Sequence, residues 1–140
     1  MIRAMADVVD TLSRVPLFAG LERKHLERIA NNLAERRFDA GFTVTEQGGS
    51  GVGFFIIEGG QATVTVAGEE IRKLGPGDYF GEVALIDNGP RSATIVADTD
   101  LDCRGMTAWE FRPLVQSHSE MAWPLLEALV SRLRDAEKRD

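Results

Sequence analysis

Apolar and polar positions divide the chain into three blocks, and the first block has a helical spacing. Leu26, Ile29, Ala30 and Leu33 recur at positions i, i+3, i+4 and i+7, which places them in one stripe along a helix. Such a stripe packs on a core, while the charged residues between its members face solvent. The pattern predicts helices over about residues 8–34.

The middle block, about residues 36–106, is typical of short strands. Residues 62–66 alternate apolar with polar side chains, and residues 54–57 form a continuous apolar run that favours β structure. Glycine pairs such as Gly59-Gly60 separate these runs as turns. Short strands at close spacing, with turns between them, predict a β-sandwich or a small barrel.

The last block, about residues 107–138, returns to a helical period. Thr107 and Glu110 have the spacing of a capping box, in which each side chain satisfies a free backbone N–H, and residues 117–120 repeat that spacing. Pro124 lies just past the second predicted helix start, where it would kink the helix or delay its beginning. The sequence therefore predicts two helices after the strands.

Together the three blocks predict one α+β domain over residues 1–140, and the composition agrees with a globular protein. Hydrophobic residues make up 44% of the chain and charged residues 27%. Lys and Arg number 16 against 22 Asp and Glu, which leaves a net charge of −6. Because neutralising phosphates needs clustered Lys and Arg, this balance argues against direct nucleic-acid contact by this segment.

The sequence also bears on the cellular compartment. No apolar run is long enough to span a membrane, and residues 1–10 lack the charged start and apolar core of a signal peptide. Cys103 is the single cysteine, so no internal disulfide can form, which fits a reducing compartment. We therefore expect a cytoplasmic protein without membrane contact.

The residues best suited to binding a ligand lie between positions 80 and 94. Glycines and a proline between residues 75 and 81 predict a turn into a short helix over about residues 82–86. The free N–H groups at a helix start can cradle an anion, and Arg91 offers the planar fork of donors that suits a phosphate. Glu82 can accept a hydrogen bond from a sugar hydroxyl. This combination indicates a site for a sugar phosphate.

The same two charged residues have a simpler interpretation, in which Glu82 and Arg91 form a surface ion pair beside a turn. The wider sequence favours the binding site. Residues 80–97 resemble, without a gap, the phosphate-binding cassette of the cyclic nucleotide-binding domain family. Residues 16–21, 55–66 and 74–82 are similar to that family's N-terminal segment, central hairpin and run into the cassette.

The resemblance implies an antiparallel β-barrel or jelly roll (a double-stranded β-helix), with N-terminal helices and C-terminal hinge and lid helices. It implies that Arg91 pairs with the exocyclic oxygens of a cyclic phosphate. Glu82 would accept the ribose 2′-hydroxyl, assisted by the Gly81 backbone, and N–H groups around Ala84 and at Ser92 would complete the cradle. Apolar contacts to the purine are implied for three strand residues, Val64, Ile71 and Leu74.

The identity of the base is less well defined than the phosphate site. Thr63 occupies the position of an acid that steers the arginine in some relatives, and Ala136 and Glu137 replace the hydroxyls that the lid helix of the gene-regulator branch offers to adenine. The Ser92 hydroxyl accompanies guanine in some branches and adenine in others. We expect cyclic AMP because it is the commoner ligand, and cyclic GMP remains open.

Other residues have less demanding interpretations. His25 and His118 lie outside the β block, which argues against a metal-dependent barrel enzyme, and we interpret them as a solvated helix residue and a cap residue. Cys103 is interpreted as a small buried hydrophobe. Trp109 and Trp123 have helical spacing and apolar neighbours, which predicts core or interface positions.

The expected function is that of a non-enzymatic cyclic nucleotide receptor, in which the cassette closes on the phosphate and the last helix repacks as a lid. Its expected partners are the nucleotide and either a second copy bound through the C-terminal helix or an unidentified effector protein. Two alternatives stay open. One is the ligand-binding fragment of a transcription regulator whose DNA-binding part is absent, and the other is an interaction domain that no longer binds nucleotide.

Overall fold

The structure is a computed structural model that describes residues 5–49, 53–87 and 89–138. The first block is helical, with helix α1 over Met5–Ser13 and helix α2 over Arg23–Asn31. A 3₁₀ turn, Pro16–Phe18, joins them. The apolar faces of both helices are buried, as the spacing predicts.

Eight strands follow within the described residues, and every pairing between them is antiparallel. They are β1 (Ala34–Phe38), β2 (Thr43–Thr45), β3 (Phe54–Gly59), β4 (Ala62–Val66), β5 (Glu69–Leu74), β6 (Tyr79–Phe80), β7 (Thr94–Ala97) and β8 (Leu101–Met106). One sheet has the order β1-β8-β3-β6 and the other β2-β7-β4-β5. The predicted α+β jelly roll is confirmed, as two four-stranded sheets in place of a closed barrel.

The remaining elements are helical. A short helix, α3 (Ala84–Asp87), follows β6, two residues later than the sequence predicts. Helix α4 (Ala108–Ser117) and helix α5 (Ala122–Lys138) follow the strands, and a 3₁₀ turn over Ser119–Met121, here called the hinge turn, joins them. No helix in the described ranges is both long and apolar enough to cross a membrane.

The predicted capping box is confirmed at Thr107, the residue just before α4, and is wrong at residues 117–120. Glu110 Oε1 accepts hydrogen bonds from the Thr107 N–H, at 3.0 Å, and from the Thr107 hydroxyl, at 2.8 Å. Ser117 instead belongs to the last turn of α4, and no side chain caps the hinge turn. Pro124 falls in the first turn of α5, where its missing N–H costs nothing.

Two groups of buried side chains form the core. The larger joins α1 and α2 to the hinge turn and α5, with Phe18 and Met121 among its fully buried members. The smaller lies between the two sheets and includes Phe55 and Leu101. Cys103 is buried in this second group, as expected for a small hydrophobe.

The sequence interpretation of His25 is wrong in the structure, and the core alternative for the two tryptophans is excluded. His25 is 2% exposed, because its side of α2 packs against the hinge turn instead of facing solvent. Trp109 and Trp123 are 65% and 69% exposed, so neither belongs to the core. Each lies on the outer side of its helix, and an interface role for them stays a prediction.

Candidate functional site

A cavity of about 510 Å³ lies between the sheet that contains β4 and β5 and the segment from β6 to β7. Its volume falls within the roughly 300–1,000 Å³ typical of small-ligand sites. Its walls include seven of the eight residues implied by the resemblance. These are Val64, Leu74, Gly81, Glu82, Ala84, Arg91 and Ser92.

Arg91 is held at the bottom of the cavity from both its backbone and its side chain. Its carbonyl accepts the Gly48 N–H at 2.8 Å, and its own N–H donates to the Gly49 carbonyl at 2.9 Å. The guanidinium donates through Nη2 to the Gly53 carbonyl oxygen. The chain before β3 therefore orients Arg91 from outside the cassette.

The guanidinium is buried yet incompletely satisfied. Arg91 is only 9% exposed, and its Nε has no hydrogen-bond partner among the described residues. Burial lowers the pKa of Arg91, and the negative charge of Glu82 acts in the opposite direction. A buried cation with an open donor is costly unless an anion completes it, so the arrangement suits a negatively charged ligand.

Gly81 allows Arg91 to reach this position. Its φ is +87°, a left-handed conformation that favours glycine. A Cβ built at this residue would overlap the Gly53 carbonyl oxygen and lie 2.5 Å from Arg91 Nη1. The glycine is therefore required by both its backbone angle and the close approach of the guanidinium.

Glu82 does not form the surface ion pair with Arg91 that the simpler interpretation requires. Its carboxylate Oε1 lies 3.5 Å from Arg132 Nη1 on α5, and the Glu82 side chain is only 17% exposed. The pairing joins the cassette directly to the last helix. Glu82 lines the cavity beside Arg91, where its carboxylate can accept a hydroxyl hydrogen bond.

The strand wall differs from the expectation at one residue. Val64 and Leu74 line the cavity, but Ile71 does not and is 56% exposed. Leu74 and Arg72 lie two residues apart on β5 and pair with Ala62 and Val64 of β4, so they share the cavity face. Ile71 is three residues from Leu74 and belongs to the opposite face, where a register shift leaves it without a partner on β4.

Arg132 and Tyr79 are among the cavity residues that the sequence did not predict, because their position depends on tertiary contacts. Arg132 lies on α5, one turn before Ala136 and Glu137, which do not reach the cavity. Tyr79 lines the cavity at the edge of β6, and burial raises the pKa of its phenol. An arginine in the last helix and a tyrosine before the cassette are visible in the sequence, but no motif marks them.

The positions that depart from the family pattern lie outside the cavity wall. The Thr63 hydroxyl donates to Asp98 Oδ2 at 2.7 Å and accepts from Lys73 Nζ at 2.9 Å. It therefore belongs to a surface network on β4 and β5. Thr63 is absent from the residues that surround Arg91.

The described residues contain no group of three or more His, Cys, Asp and Glu side chains placed to hold a metal ion. Burial raises the pKa of the Cys103 thiol to about 12, so the thiolate that nucleophilic chemistry requires is disfavoured. The cavity instead combines a buried arginine, a neighbouring carboxylate and an apolar strand wall. This combination suits a small anionic ligand that also carries hydroxyls.

Comparison with known proteins identifies the family. The family model described as "Cyclic nucleotide-binding domain" matches residues 35–118, and this chain belongs to that family. The chain is 39% identical over 92 residues to a cAMP-dependent protein kinase regulatory subunit of Aspergillus niger, covering 64% of this chain and 22% of that protein. It is 38% identical over 98 residues to the cGMP-dependent protein kinase egl-4 of Caenorhabditis briggsae, covering 66% and 13%.

Among solved structures, the N-terminal domain of a transcriptional regulator from Streptomyces coelicolor A3(2) superposes with a TM-score of 0.82. The two chains are 26% identical, and the match covers 94% of each. This chain spans less than a quarter of the length of the two kinase relatives named above. It is similar to one part of each.

Proposed function

We propose that this chain is a non-catalytic cyclic nucleotide receptor module that binds cyclic AMP in the cavity. The observation that carries the proposal is the buried guanidinium of Arg91, whose Nε lacks a partner in the described structure and which lines a cavity of suitable volume. A cyclic phosphodiester carries one negative charge at physiological pH. Its exocyclic oxygens would complete the open donors of Arg91.

The other cavity residues divide the remaining contacts. Glu82 accepts the ribose 2′-hydroxyl beside Gly81, and the backbone around Ala84 and Ser92 surrounds the phosphate. Val64 and Leu74 contact the base from the strand wall. Ile71 is not retained as a base contact, because it lies on the exposed face of β5 and does not line the cavity.

The proposed output is a rearrangement of α5 as a lid. Glu82 is both the residue assigned to the ribose and the partner of Arg132 on α5. A 2′-hydroxyl that reaches Glu82 changes this pairing, so occupancy of the cavity alters the contact that joins α5 to the cassette. Ligand binding then shifts the helix only to the extent that it favours one arrangement over the other.

The choice of cyclic AMP rests on its being the commoner ligand. One relative reported above is named for cAMP and another for cGMP, so the family supports either nucleotide. Isothermal titration of the purified chain with each nucleotide decides between them. We expect saturable binding of both, with cyclic AMP the tighter.

The matched variants for this titration are Arg91→Ala, Arg91→Lys and Arg112→Ala, the last an exposed residue of α4. A charge-assisted hydrogen bond contributes about 1.5–3 kcal/mol, so Arg91→Ala should weaken binding roughly ten- to a hundredfold. The affinity of Arg91→Lys should lie between those of the natural chain and Arg91→Ala, because lysine keeps the charge but loses the bidentate fork. Arg112→Ala should bind like the natural chain. If neither nucleotide gives saturable heat, the receptor proposal is wrong, and the alternative of an interaction domain that no longer binds nucleotide is favoured.

A second candidate is the ligand-binding part of a transcription regulator. The observation in its favour is the match to the Streptomyces coelicolor regulator domain over 94% of both chains. Both candidates bind the same ligand and differ in the output attached to α5. A full-length gene product that binds DNA only with nucleotide present would favour the regulator.

We also propose that the partner on α5 is a second copy of this chain. Four exposed apolar side chains line one face of the helix, here called the α5 stripe: Trp123, Leu126, Val130 and Leu133. Their spacing of three, four and three residues is that of a coiled-coil seam. Glu127 and Arg134 flank the stripe seven residues apart, with opposite charges that suit self-pairing in an antiparallel arrangement.

A further inference from the structure

His25 is a buried histidine that the cavity does not use. It lies on α2 and is 2% exposed. Its Nδ1 lies 2.7 Å from Arg28 Nη1. Since a guanidinium can only donate, Nδ1 must be the acceptor, and the ring is neutral with its proton on Nε2.

The other ring nitrogen faces the hinge turn. His25 Nε2 has no hydrogen-bond partner in the described structure and lies 3.7 Å from Oε1 of Glu120. Arg28 Nη1 lies 3.9 Å from the same oxygen. One carboxylate of the hinge turn is thus within reach of both side chains, although neither forms a hydrogen bond with it.

The hinge turn joins α4 to α5 and packs on the same buried cluster as α2. Met121, the residue after Glu120, is fully buried there, and Leu125 in the first turn of α5 belongs to the cluster as well. Apolar contact therefore fixes where the hinge turn rests. The three polar side chains lie at the rim of that contact.

We propose that His25, Arg28 and Glu120 form a proton-sensitive clasp between α2 and the hinge turn, which sets how α5 lies over the cavity. Protonation places a second N–H on Nδ1, which expels the Arg28 donor from the ring. The imidazolium then attracts Glu120 through Nε2. At low pH a His25–Glu120 ion pair therefore replaces the Arg28–His25 contact, and the hinge turn moves toward α2.

The charged groups around the ring act in opposite directions. Burial lowers the pKa of His25, and Arg28 and Lys24 lower it further. Glu120 on the hinge turn and Glu22 at the start of α2 raise it. Of these four charged residues, Glu120 alone lies on the hinge turn. A change in the distance between α2 and the hinge turn therefore changes the pKa of His25 through Glu120.

The effect on ligand binding rests on the proposed function. Arg132 on α5 reaches the cavity, and α5 begins one residue after Met121. If nucleotide shifts the hinge turn, the pKa of His25 differs between the free and bound states. By linkage the affinity then depends on pH, and a difference of about half a pKa unit corresponds to roughly a threefold change in Kd.

The clasp is tested first without nucleotide, by following the ring protons of His25 by NMR as pH is lowered. A His118→Asn variant assigns the two histidine signals. Glu120→Gln, at an exposed residue, should lower the pKa of His25, and Arg28→Met should raise it. Asp135→Asn, an exposed carboxylate on α5, is the control and should leave it unchanged. An unchanged pKa in Glu120→Gln overturns the clasp.

The same titration repeated with saturating cyclic nucleotide tests the link to the cavity. We expect the pKa of His25 to move on binding and the shift to shrink in Glu120→Gln. An unmoved pKa in a protein that binds nucleotide by calorimetry refutes the link to α5. Absence of nucleotide binding would instead refute the proposed function, while the ligand-free titration still decides whether the clasp exists.

Discussion

Arg91 illustrates how one side chain can depend on several distant backbone segments. Its peptide unit exchanges hydrogen bonds with Gly48 and Gly49, and its guanidinium donates to Gly53. These contacts hold the guanidinium in the cavity wall with only 9% of the residue exposed. The cost of that burial is what makes an anionic ligand the natural partner.

At the residue scale, Gly81→Ala should damage both stability and ligand binding. Its left-handed φ costs an alanine about 1–2 kcal/mol, and overlap with the Gly53 carbonyl and Arg91 adds about 1–3 kcal/mol more. Because the guanidinium must move, nucleotide affinity should fall at least tenfold. Urea unfolding and isothermal titration measure the two effects.

Gly77→Ala is the matched control for that change. Gly77 has a φ of +91°, close to that of Gly81, and a Cβ built there meets no atom within 4 Å. The Gly77→Ala variant should lose only the part of the free energy of unfolding that comes from the left-handed φ, and it should keep its affinity for nucleotide. Equal losses in the two variants would show that contact with Arg91 does not constrain residue 81.

At the element scale, β5 shows that strand alternation decides which side chains reach the cavity. A strand places every second side chain on one face, so Arg72 shares the cavity face with Leu74, while Ile71 lies on the other face. Val64 pairs with Arg72 and Thr65 pairs with Glu70, which leaves Ile71 without a partner on β4. The resemblance implied Ile71 and Leu74 together, although residues three positions apart fall on opposite faces of a regular strand.

The hairpin between β4 and β5 contains a strained residue. Ala67 has a φ of +52°, and its N–H donates to Gln47 Oε1 at 2.7 Å. Asparagine tolerates this conformation better than alanine, so Ala67→Asn should raise the free energy of unfolding by about 0.5–1 kcal/mol. Urea unfolding measures the gain.

Ala40→Asn is the control, since Ala40 is an exposed loop residue without a positive φ. It should leave stability within about 0.5 kcal/mol. If both substitutions stabilise equally, the effect belongs to asparagine and not to the turn.

At the scale of the whole molecule, α5 combines two roles on two faces. Leu125 is buried in the core and Arg132 reaches Glu82, while the α5 stripe faces outward. A rearrangement of this helix therefore changes the cavity and the outer surface together. That geometry allows occupancy of the cavity to alter contact with a second copy.

Self-association through the α5 stripe is tested by charge reversal. Sedimentation of the natural chain should show a dimer, and Glu127→Arg should weaken it because each Arg134 would face an arginine of the other copy. Combining Glu127→Arg with Arg134→Glu should restore the dimer. Leu126→Asp should abolish the dimer both in the natural chain and in the charge variants. A natural chain that sediments as a monomer, or a double variant no better than Glu127→Arg, would contradict the antiparallel pairing.

The sequence by itself determined the order of helices and strands and indicated where a phosphate would bind. Helical spacing, strand alternation and turn glycines are local properties, so the α+β order follows from them. The cassette is contiguous from residue 80 to 97, which is why Glu82 and Arg91 could be named in advance. Their roles toward a ligand remain predictions.

Only the tertiary structure decided which distant residues meet. His25 lies 3.7 Å from Glu120 of the hinge turn, Arg72 pairs with Val64 and lines the cavity, and Arg132 of α5 lies 3.5 Å from Glu82. Each depends on contact between segments far apart in the chain. The spacing of residues along the chain does not predict such contacts, since they arise from how whole elements pack.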